Sequence, residues 1–231
     1  MSATRRRVID STPPLSWQRL RAARRDVAAR WPSPFRLRLE KRPSDVLYAR
    51  LAERMSLLDV GAGDATRRDR VHARFPDVRY VSVDPDPESG ADHADLGEQE
   101  LAAAGEAFDV ATLFEVVEHV APEVALAMLV RVHELLAPGG LVIVSVPAIH
   151  TPGRFLRDCT HVTPWAHDEL GGLLVMAGFD VTTLVRTYPG SALARVARRT
   201  LLGPIGHAFG IGYAYSIVAV GARSIRDAAR G

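Results

Sequence analysis

The sequence predicts an α/β fold, an open and mostly parallel sheet with helices on both faces. From about residue 55 onward, short apolar segments alternate with segments of helical periodicity, which is the pattern of strands joined by crossover helices. One apolar segment, residues 141–146, is almost free of polar residues, which is typical of a strand in the middle of a parallel sheet. With 231 residues, 47% of them hydrophobic, the chain can fill the core of one large domain.

Apolar periodicity and turn residues predict the individual elements. The predicted strands are 57–60, 80–84, 108–114, 141–146, 179–187 and 213–220. The predicted helices are 15–31, 44–54 with Ser44 as its N-cap, 122–136 and 167–177. These elements divide the chain into a basic helical N-terminal extension (1–54) and a domain (55–231). Two inserts in the domain, 147–166 and 190–212, are predicted to be lids or substrate walls.

Composition excludes several classes of protein. The apolar content excludes wholesale disorder, and the absence of a run of about 18 apolar residues excludes a membrane span. Arg5, Arg6 and Arg7 have no apolar stretch behind them, unlike a secretory signal. The single cysteine, Cys159, excludes an internal disulfide and a cysteine-based zinc cluster. We therefore expect a soluble cytoplasmic protein.

Charge is unevenly distributed along the chain. Residues 1–42 contain twelve Lys or Arg and three acidic residues, a net charge of +9, whereas the remainder carries −7. A basic head favours a phosphate-rich partner such as RNA, a nucleotide-sugar or an anionic membrane surface. Genomic base composition explains it equally well, because Arg outnumbers Lys 28 to 1.

The first strand–helix turn of the predicted sheet, residues 59–66, contains Gly61 and Gly63. Ligands of open α/β sheets bind at this end of the strands, and glycines let the backbone approach them closely. A dinucleotide fingerprint needs a third glycine where Thr66 stands, and the Gly-Lys-Ser/Thr of a phosphate loop is absent. Asp84, at the end of the second strand, can accept hydrogen bonds from both ribose hydroxyls of either NAD or S-adenosylmethionine (SAM).

Several ordered motifs resemble those of the class I SAM-dependent methyltransferases. The segment 57–63 resembles their motif I, 80–85 their second motif, and 92–96 the segment whose Asp holds the adenine amino group. Residues 108–119 are similar to their fourth-strand motif, 135–141 to their Leu-x-Pro-Gly-Gly motif, and 177–179 to the Ala-Gly-Phe that opens strand six. The resemblance covers about residues 55–188, and Ala65 departs from it where many members carry a glycine. It implies a Rossmann-like, seven-stranded sheet whose last strand is antiparallel.

The resemblance also implies the residues that bind SAM. Gly61, Ala62 and Gly63 would line the methionine moiety, Asp84 the ribose, and Asp95 and Leu96 the adenine. Backbone near Phe114 would complete the pocket. Asp59 and Pro85, which belong to two of the motifs, are also expected to bind the cofactor.

The residues after the fourth strand are expected beside the transferred methyl group. Glu115, Glu118 and His119 can converge at a strand end and the first helical turn, and carboxylates with imidazole suit Mg²⁺ or Mn²⁺. This Glu-x-x-Glu-His pattern resembles ubiquinone-biosynthesis O-methyltransferases and small-RNA 3′-terminal 2′-O-methyltransferases, and His161 would be a fourth ligand. The stretch around His161 also resembles methyltransferases encoded with polysaccharide-biosynthesis genes. Without a metal, His119 or His161 would be the general base.

These observations predict O-methylation of a hydroxyl on a saccharide or other small polyol, with catechols as a further acceptor. Three alternatives stay open: RNA 3′-terminal 2′-O-methylation, metal-independent C- or N-methylation of a small molecule, and a non-catalytic SAM-binding module. The basic helix at 192–202 and the apolar stretch at 201–211 could also dock on a membrane that carries a lipid-linked acceptor.

Overall fold

The core of the protein is a seven-stranded sheet in a computed structural model that describes residues 14–64, 66–97, 101 and 108–225. The strands are β1 (Arg38–Glu40), β2 (Ser56–Val60), β3 (Arg79–Val83), β4 (Phe108–Phe114), β5 (Leu136–Pro147), β6 (Phe179–Thr187) and β7 (Ser216–Arg223). Their order across the sheet is β1-β6-β7-β5-β4-β2-β3. Strand β7 is antiparallel to β5 and β6, and the other pairs are parallel. The predicted Rossmann-like, seven-stranded, mostly parallel sheet is confirmed.

Helices cover both faces of the sheet. They are α1 (Trp17–Arg30), α2 (Pro43–Tyr48), α3 (Thr66–His72), α4 (Pro122–Leu135), α5 (His167–Met176), α6 (Ala192–Ala197) and α7 (Gly203–Phe209). Leu58 of β2 belongs to the core cluster that includes α4 and α5, whereas Leu57 belongs to the cluster that includes α2 and α3. This alternation follows from the two-residue period of a strand. Within the described part of the chain, no helix is long and apolar enough to cross a bilayer.

The N-terminal segment contributes a strand that the sequence does not predict. The three residues of β1 pair in parallel with Val185, Arg186 and Thr187 of β6, at the edge of the sheet. Six strands were predicted individually, and β1 is the seventh. The buried Arg186 secures this edge, since its guanidinium donates to the carbonyl oxygens of Phe35 and Leu37. The division of the chain at residue 54 stays a prediction.

Helix α1 packs against α5. It begins after Ser16, whose hydroxyl accepts from the Arg19 N–H as an N-cap. Arg24 donates to the carboxylates of Asp168 and Glu169, and His167 Nε2 lies 2.9 Å from the Trp31 carbonyl oxygen. The extension is therefore joined to the sheet by both a strand and a helix.

Several predicted boundaries are wrong. Strand β5 begins at Leu136 rather than 141, directly after α4, and β7 ends at Arg223 rather than 220. Helix α2 ends at Tyr48 rather than 54, and its N-cap is Arg42, with Pro43 and not Ser44 in the first helical position. Proline is favoured there because its missing N–H has no partner in the first turn. The last strand begins at Ser216 rather than 213, where pairing with Pro147 and Thr187 starts.

Candidate cofactor and acceptor site

A cavity of about 540 Å³ lies at the carboxyl ends of β2, β3 and β4. This is the position at which open α/β sheets bind ligands. The predicted cofactor residues that line it are Gly61, Gly63, Asp84, Pro85, Asp95 and Leu96. Their roles in binding SAM stay predictions, but the fold brings these residues together from three separate turns.

Gly61 occupies a position that only glycine fits. Its φ is +69°, and a Cβ atom there would lie 2.3 Å from Cγ2 of Val116. Its N–H donates to the Val83 carbonyl oxygen over 2.8 Å, which holds the turn against β3. Gly63, with φ +58°, has open space where a Cβ would be, and its N–H donates to Asp84 Oδ2 over 2.8 Å. The turn after β2 is thus attached to the end of β3.

The remaining predicted cofactor residues lie beside or below the cavity. Ala62 is buried and does not contribute to its lining. Ala65 lies outside the described residues. Phe114 is buried in the core, and the guanidinium of Arg67 lies 5.0 Å from its ring centroid. The expectation for Phe114 concerned the backbone near it, and the next two residues, Glu115 and Val116, do line the cavity.

Asp59 has a different environment from the one expected. Its side chain is fully buried beneath the glycine turn and does not line the cavity. The carboxylate accepts hydrogen bonds from Arg67, from the Tyr80 hydroxyl and from Thr112 Oγ1, the last over 2.7 Å. The carboxylate of Asp59 is thus enclosed by three neighbouring side chains, and its predicted contact with the cofactor stays a prediction that this environment does not favour. It acts as a positioning residue that joins β2, β3, β4 and α3.

Three of the four predicted metal ligands converge beside the cavity, and one of them, His119, lines it. Glu118, His119 and His161 each offer one ligand atom, and these three atoms lie within 4.8 Å of one another. Glu118 and His119 belong to the 3₁₀ turn Val117–His119, and His161 comes from the insert after β5. The insert is held in place by main-chain N–H groups of Val162 and Thr163, which donate to the Glu118 carbonyl oxygen over 2.7 and 3.0 Å.

The Glu118 carboxylate is the least compensated group in this cluster. It is fully buried, and neither oxygen accepts a hydrogen bond from another described residue. Burial, reinforced by the charges of Glu115 and Asp158, raises the pKa of Glu118 to about 8. A buried carboxylate without partners is costly unless it is protonated or bound to a cation.

Hydrogen bonds fix the tautomers of both histidines. His161 Nδ1 lies 2.7 Å from the Phe155 carbonyl oxygen, which can only accept, so Nδ1 carries the proton. The Thr160 hydroxyl donates to Asp158 Oδ1 over 2.6 Å and so accepts from His119 Nδ1 at 2.9 Å. In the neutral form of each imidazole, the proton is therefore on Nδ1 and Nε2 carries the free lone pair. A histidine whose other nitrogen donates to a carbonyl or hydroxyl oxygen is the usual arrangement of a metal ligand.

Glu115, the fourth predicted ligand, is held apart from this cluster. Its φ is +57°, its N–H donates to the Ser145 carbonyl oxygen, and its Oε1 accepts from Ser145 Oγ over 2.8 Å. Burial raises the pKa of Glu115, and hydrogen bonds from Ser145 and Ser216 and the charges of Arg154 and His161 oppose it. Its carboxylate is engaged by β5 and β7, so a three-residue cluster fits the structure better than four ligands.

Sequence reasoning missed two groups of residues at the site. One is the apolar wall formed by Val116, Val120, Val124 and Met128 near the start of α4, together with Arg131. The helical periodicity of 122–136 contained a signal for this wall, but the same pattern fits a core helix. The other group is Phe155 and Thr160, which orient the two histidines. The Asp-x-Thr spacing at 158–160 indicates an Asx turn, and the Thr160 N–H does donate to Asp158.

The match to a protein family covers most of this architecture. Residues 26–184 match a family model described as a methyltransferase domain, which is more than half of the chain. The chain belongs to the class I SAM-dependent methyltransferases. The family predicted from the ordered motifs is thus confirmed, and the cavity of this methyltransferase lies where the motifs meet.

Relatives of the methyltransferase share one description. A ubiquinone biosynthesis O-methyltransferase from Cereibacter sphaeroides is 38% identical, with 54% of this chain and 60% of that protein covered. Another of the same description from Azorhizobium caulinodans is 38% identical, with 39% and 40% covered. The chain therefore spans 60% or less of the length of these two relatives.

Solved structures show the same fold at low identity. A SAM-dependent methyltransferase from Archaeoglobus fulgidus aligns with a TM-score of 0.60 and 15% identity, over 87% of this chain and 94% of that one. The N-methyltransferase NodS from Bradyrhizobium japonicum aligns with a TM-score of 0.52 and 14% identity, over 79% and 94%. At these identities the likeness concerns the fold alone, and the acceptor has to be argued from the site.

Proposed function

We propose that this methyltransferase transfers the methyl group of SAM to a hydroxyl oxygen that has a second oxygen on the neighbouring carbon. The observation that carries the proposal is the buried Glu118 carboxylate, unpartnered among the described residues, beside two imidazoles whose Nδ1 atoms donate hydrogen bonds and whose Nε2 atoms are the available ligand atoms. The description of the relatives as O-methyltransferases supports an oxygen acceptor.

The same residues suit a divalent cation. Glu118, His119 and His161 would hold it, since a carboxylate and two neutral imidazoles are suitable ligands and a cation would compensate the buried charge. When bound, Mg²⁺ or Mn²⁺ would supply Lewis-acid chemistry: an acceptor with two adjacent oxygens would chelate it, and the pKa of the acceptor hydroxyl would be lowered.

The chain's own residues define the geometry of the transfer. Gly61, Gly63 and Asp84 would hold SAM at the turns after β2 and β3, with Asp95 toward the adenine. The acceptor oxygen forms a bond to the methyl carbon while the carbon–sulfur bond breaks, and the electron pair stays on the sulfur of S-adenosylhomocysteine. The hydroxyl proton must leave the acceptor. With both histidines holding the cation it would pass to water, and without a cation the Nε2 atom of either histidine would accept it.

Saccharides and other polyols with adjacent hydroxyls are the acceptors we favour, and catechols share the same pair of oxygens. RNA is a weaker proposal. Three arginines of the basic head have partners within the protein: Arg24 on Asp168 and Glu169, Arg30 on the Val181 carbonyl oxygen, and Arg38 on Glu40. Their availability to phosphates is reduced accordingly.

Calorimetry with Mg²⁺ and Mn²⁺ tests the cation site. The protein is saturated with S-adenosylhomocysteine, and wild type is compared with Glu118→Gln, His119→Asn and His161→Asn. We expect saturable binding that each of these substitutions weakens at least about tenfold, since each removes one ligand. Glu123→Gln, an exposed carboxylate in the first turn of α4, is the matched control and should bind like wild type. No binding at millimolar ion would overturn the cation site.

Methyl transfer from labelled SAM tests the acceptor class. A methyl glycoside with adjacent hydroxyls and a catechol are each compared with an analogue in which one oxygen is missing. We expect the paired-oxygen compounds to be methylated and the single-oxygen analogues to lose most of the rate. Equal rates for both members of each pair would contradict chelation, and methylation of RNA alone would replace the small-molecule acceptor.

A further inference from the structure

Exposed apolar side chains are concentrated in one part of the molecule. Of the eleven large apolar side chains exposed among the described residues, eight lie within two segments, 150–165 and 188–215. We refer to these eight as the docking face: Leu156, Val162, Leu193, Val196, Leu201, Phe209, Ile211 and Tyr215. Leu156, Leu193 and Phe209 are 84%, 79% and 74% exposed. Exposed apolar clusters of this kind mark contacts with proteins or membranes.

The two segments contact each other at residues 150–154 and 212–215. The Gly212 N–H donates to the His150 carbonyl oxygen over 2.6 Å, and Arg154 Nε donates to the carbonyl oxygen of Tyr215. The Arg154 guanidinium also lies 4.2 Å from the ring centroid of Tyr215. Six of the eight residues lie beyond residue 184, outside the part of the chain that matches the family model. Most of the docking face therefore lies in the part of the chain that the family model does not match.

The charge of the docking face has one sign over its larger segment. Residues 188–215 contain Arg195, Arg198 and Arg199 and no Asp or Glu. Arg195 donates to the Gly190 carbonyl oxygen, and the Arg198 guanidinium lies 4.6 Å from the ring centroid of Tyr188. Both contacts are with neutral groups, and among the described residues no carboxylate forms an ion pair with either guanidinium.

We propose that the docking face binds the surface of an anionic lipid bilayer. Apolar side chains that enter the headgroup region, flanked by arginines that attract anionic lipids, are the physical basis of interfacial binding. A second copy of the chain is a poorer occupant, because residues 188–215 contain arginines and no Asp or Glu, so two docking faces would bring like charges together. The binding is peripheral, since among the described residues no helix is long and apolar enough to cross a bilayer.

Bilayer binding would bring lipid-borne acceptors to the site, a consequence that rests on the proposed function. Leu156 follows Phe155, whose carbonyl oxygen orients His161. The acceptor side of the cavity and the docking face are therefore joined through one short stretch of chain. An acceptor with a lipid tail would reach the histidines from the membrane side.

Vesicle flotation of the full chain tests the proposal. Vesicles of phosphatidylcholine are compared with vesicles that also contain phosphatidylglycerol, in EDTA and without SAM, so that the result is independent of cation binding and methyl transfer. We expect the protein to float with the anionic vesicles, and Leu193→Asp with Phe209→Asp to lower the bound fraction about tenfold. Trp17→Asp is the matched control, because Trp17 is 63% exposed but belongs to α1. It should bind like wild type.

Three results would overturn the proposal. The first is equal binding to neutral and anionic vesicles, and the second is no binding to either. The third is a dimer in sedimentation without vesicles that Phe209→Asp dissociates, which would make the face a contact between copies of the chain. Circular dichroism of each variant confirms that a loss of binding is not a loss of fold.

Discussion

Asp59 illustrates how single side chains support the cofactor turn from below. Its buried carboxylate receives hydrogen bonds from residues 8, 21 and 53 positions along the chain. The Arg67 guanidinium compensates its charge and also stacks over the Phe114 ring. Since one carboxylate orients the side chains of three different elements, its loss should affect stability more than the loss of any one partner.

Asp59→Asn tests this argument. The substitution leaves the partly buried Arg67 without its counter-ion, and we expect a loss of about 3 kcal/mol in the free energy of unfolding. Thr112→Val removes one hydrogen bond to the same carboxylate and should cost about 1 kcal/mol. Urea denaturation measures both. Equal losses for the two variants would mean that the charge of Asp59 contributes little.

Substitutions at Gly63 and Gly90 distinguish the effect of a methyl group in the cavity from the effect of backbone strain. Both have positive φ, +58° and +68°, and both have open space where a Cβ would be. Alanine at either position should therefore cost about 1 kcal/mol of stability. Only Gly63→Ala adds a methyl group at the cavity, and we expect it to weaken S-adenosylhomocysteine binding about tenfold by calorimetry. Comparable affinities for the two variants would contradict a cofactor site at this turn.

At the scale of elements, the contact between α1 and α5 depends on small residues. A Cβ on Gly171 would lie 2.6 Å from Cγ1 of Val27, so the two helices approach closely at this point. Arg24 fixes their alignment through its pair of carboxylates.

Gly171→Ala should destabilise the protein by about 1–2 kcal/mol, because the overpacking at Val27 exceeds the gain in helix propensity. Val27→Ala opens space for the new methyl group. The double variant should therefore be more stable than the sum of the two single effects, by about 1 kcal/mol in a double-mutant cycle from urea denaturation. Strict additivity would show that the two positions do not touch.

Asp92, which is hydrogen-bonded to Ser82 near the end of β3, makes the stability of the protein depend on pH. Partial burial raises its pKa, but hydrogen bonds from the Ser82 N–H and hydroxyl and the charge of Arg68 outweigh burial, so the pKa of Asp92 lies below its usual value. A carboxyl whose pKa is lowered by folding stabilises the folded state above its unfolded pKa, and this contribution is lost as pH falls through the folded pKa.

Asp92→Asn should therefore cost about 1 kcal/mol at pH 7, allowing for solvent screening of this partly exposed group. The difference from wild type should shrink as the pH falls below about 4, where the unfolded carboxyl becomes protonated. Unfolding of both proteins in urea at a series of pH values measures this difference in the free energy of unfolding. Asp180→Asn, on an exposed position of β6, is the control. A stability difference that does not change with pH would contradict the linkage.

At the scale of the whole molecule, the N-terminal segment and the sheet should unfold together. Strand β1 extends the sheet beyond β6, and α1 covers α5. We expect a single calorimetric transition whose calorimetric and van't Hoff enthalpies agree. Amide exchange of Val27 and Leu39 should then need the same opening free energy as exchange of Val142 in the central strand. Two transitions, with the first confined to residues 14–54, would show that the extension is an independent unit.

The sequence by itself determined the class of fold, the family and the ends of the strands that bear the site. These features depend on neighbouring residues: two-residue and helical periodicity, a glycine turn directly after an apolar strand, and ordered short motifs. It also predicted Glu118, His119 and His161 as metal ligands, together with Glu115. Such local patterns predict the folded structure because each depends only on residues that are close together in the sequence.

Only the tertiary structure decided which of those residues meet. A three-residue strand at 38–40 has no periodicity to recognise, and it exists because β6 offers a free edge. Asp59 changed from an expected cofactor contact to a buried support, and Glu115 was separated from the cluster by Ser145. The hydrogen bonds that place Nδ1 of His161 and of His119 as donors depend on Phe155 and Thr160. Burial and hydrogen-bond partners are set by packing between distant segments, and that packing follows from the balance of the whole core rather than from any local stretch of sequence.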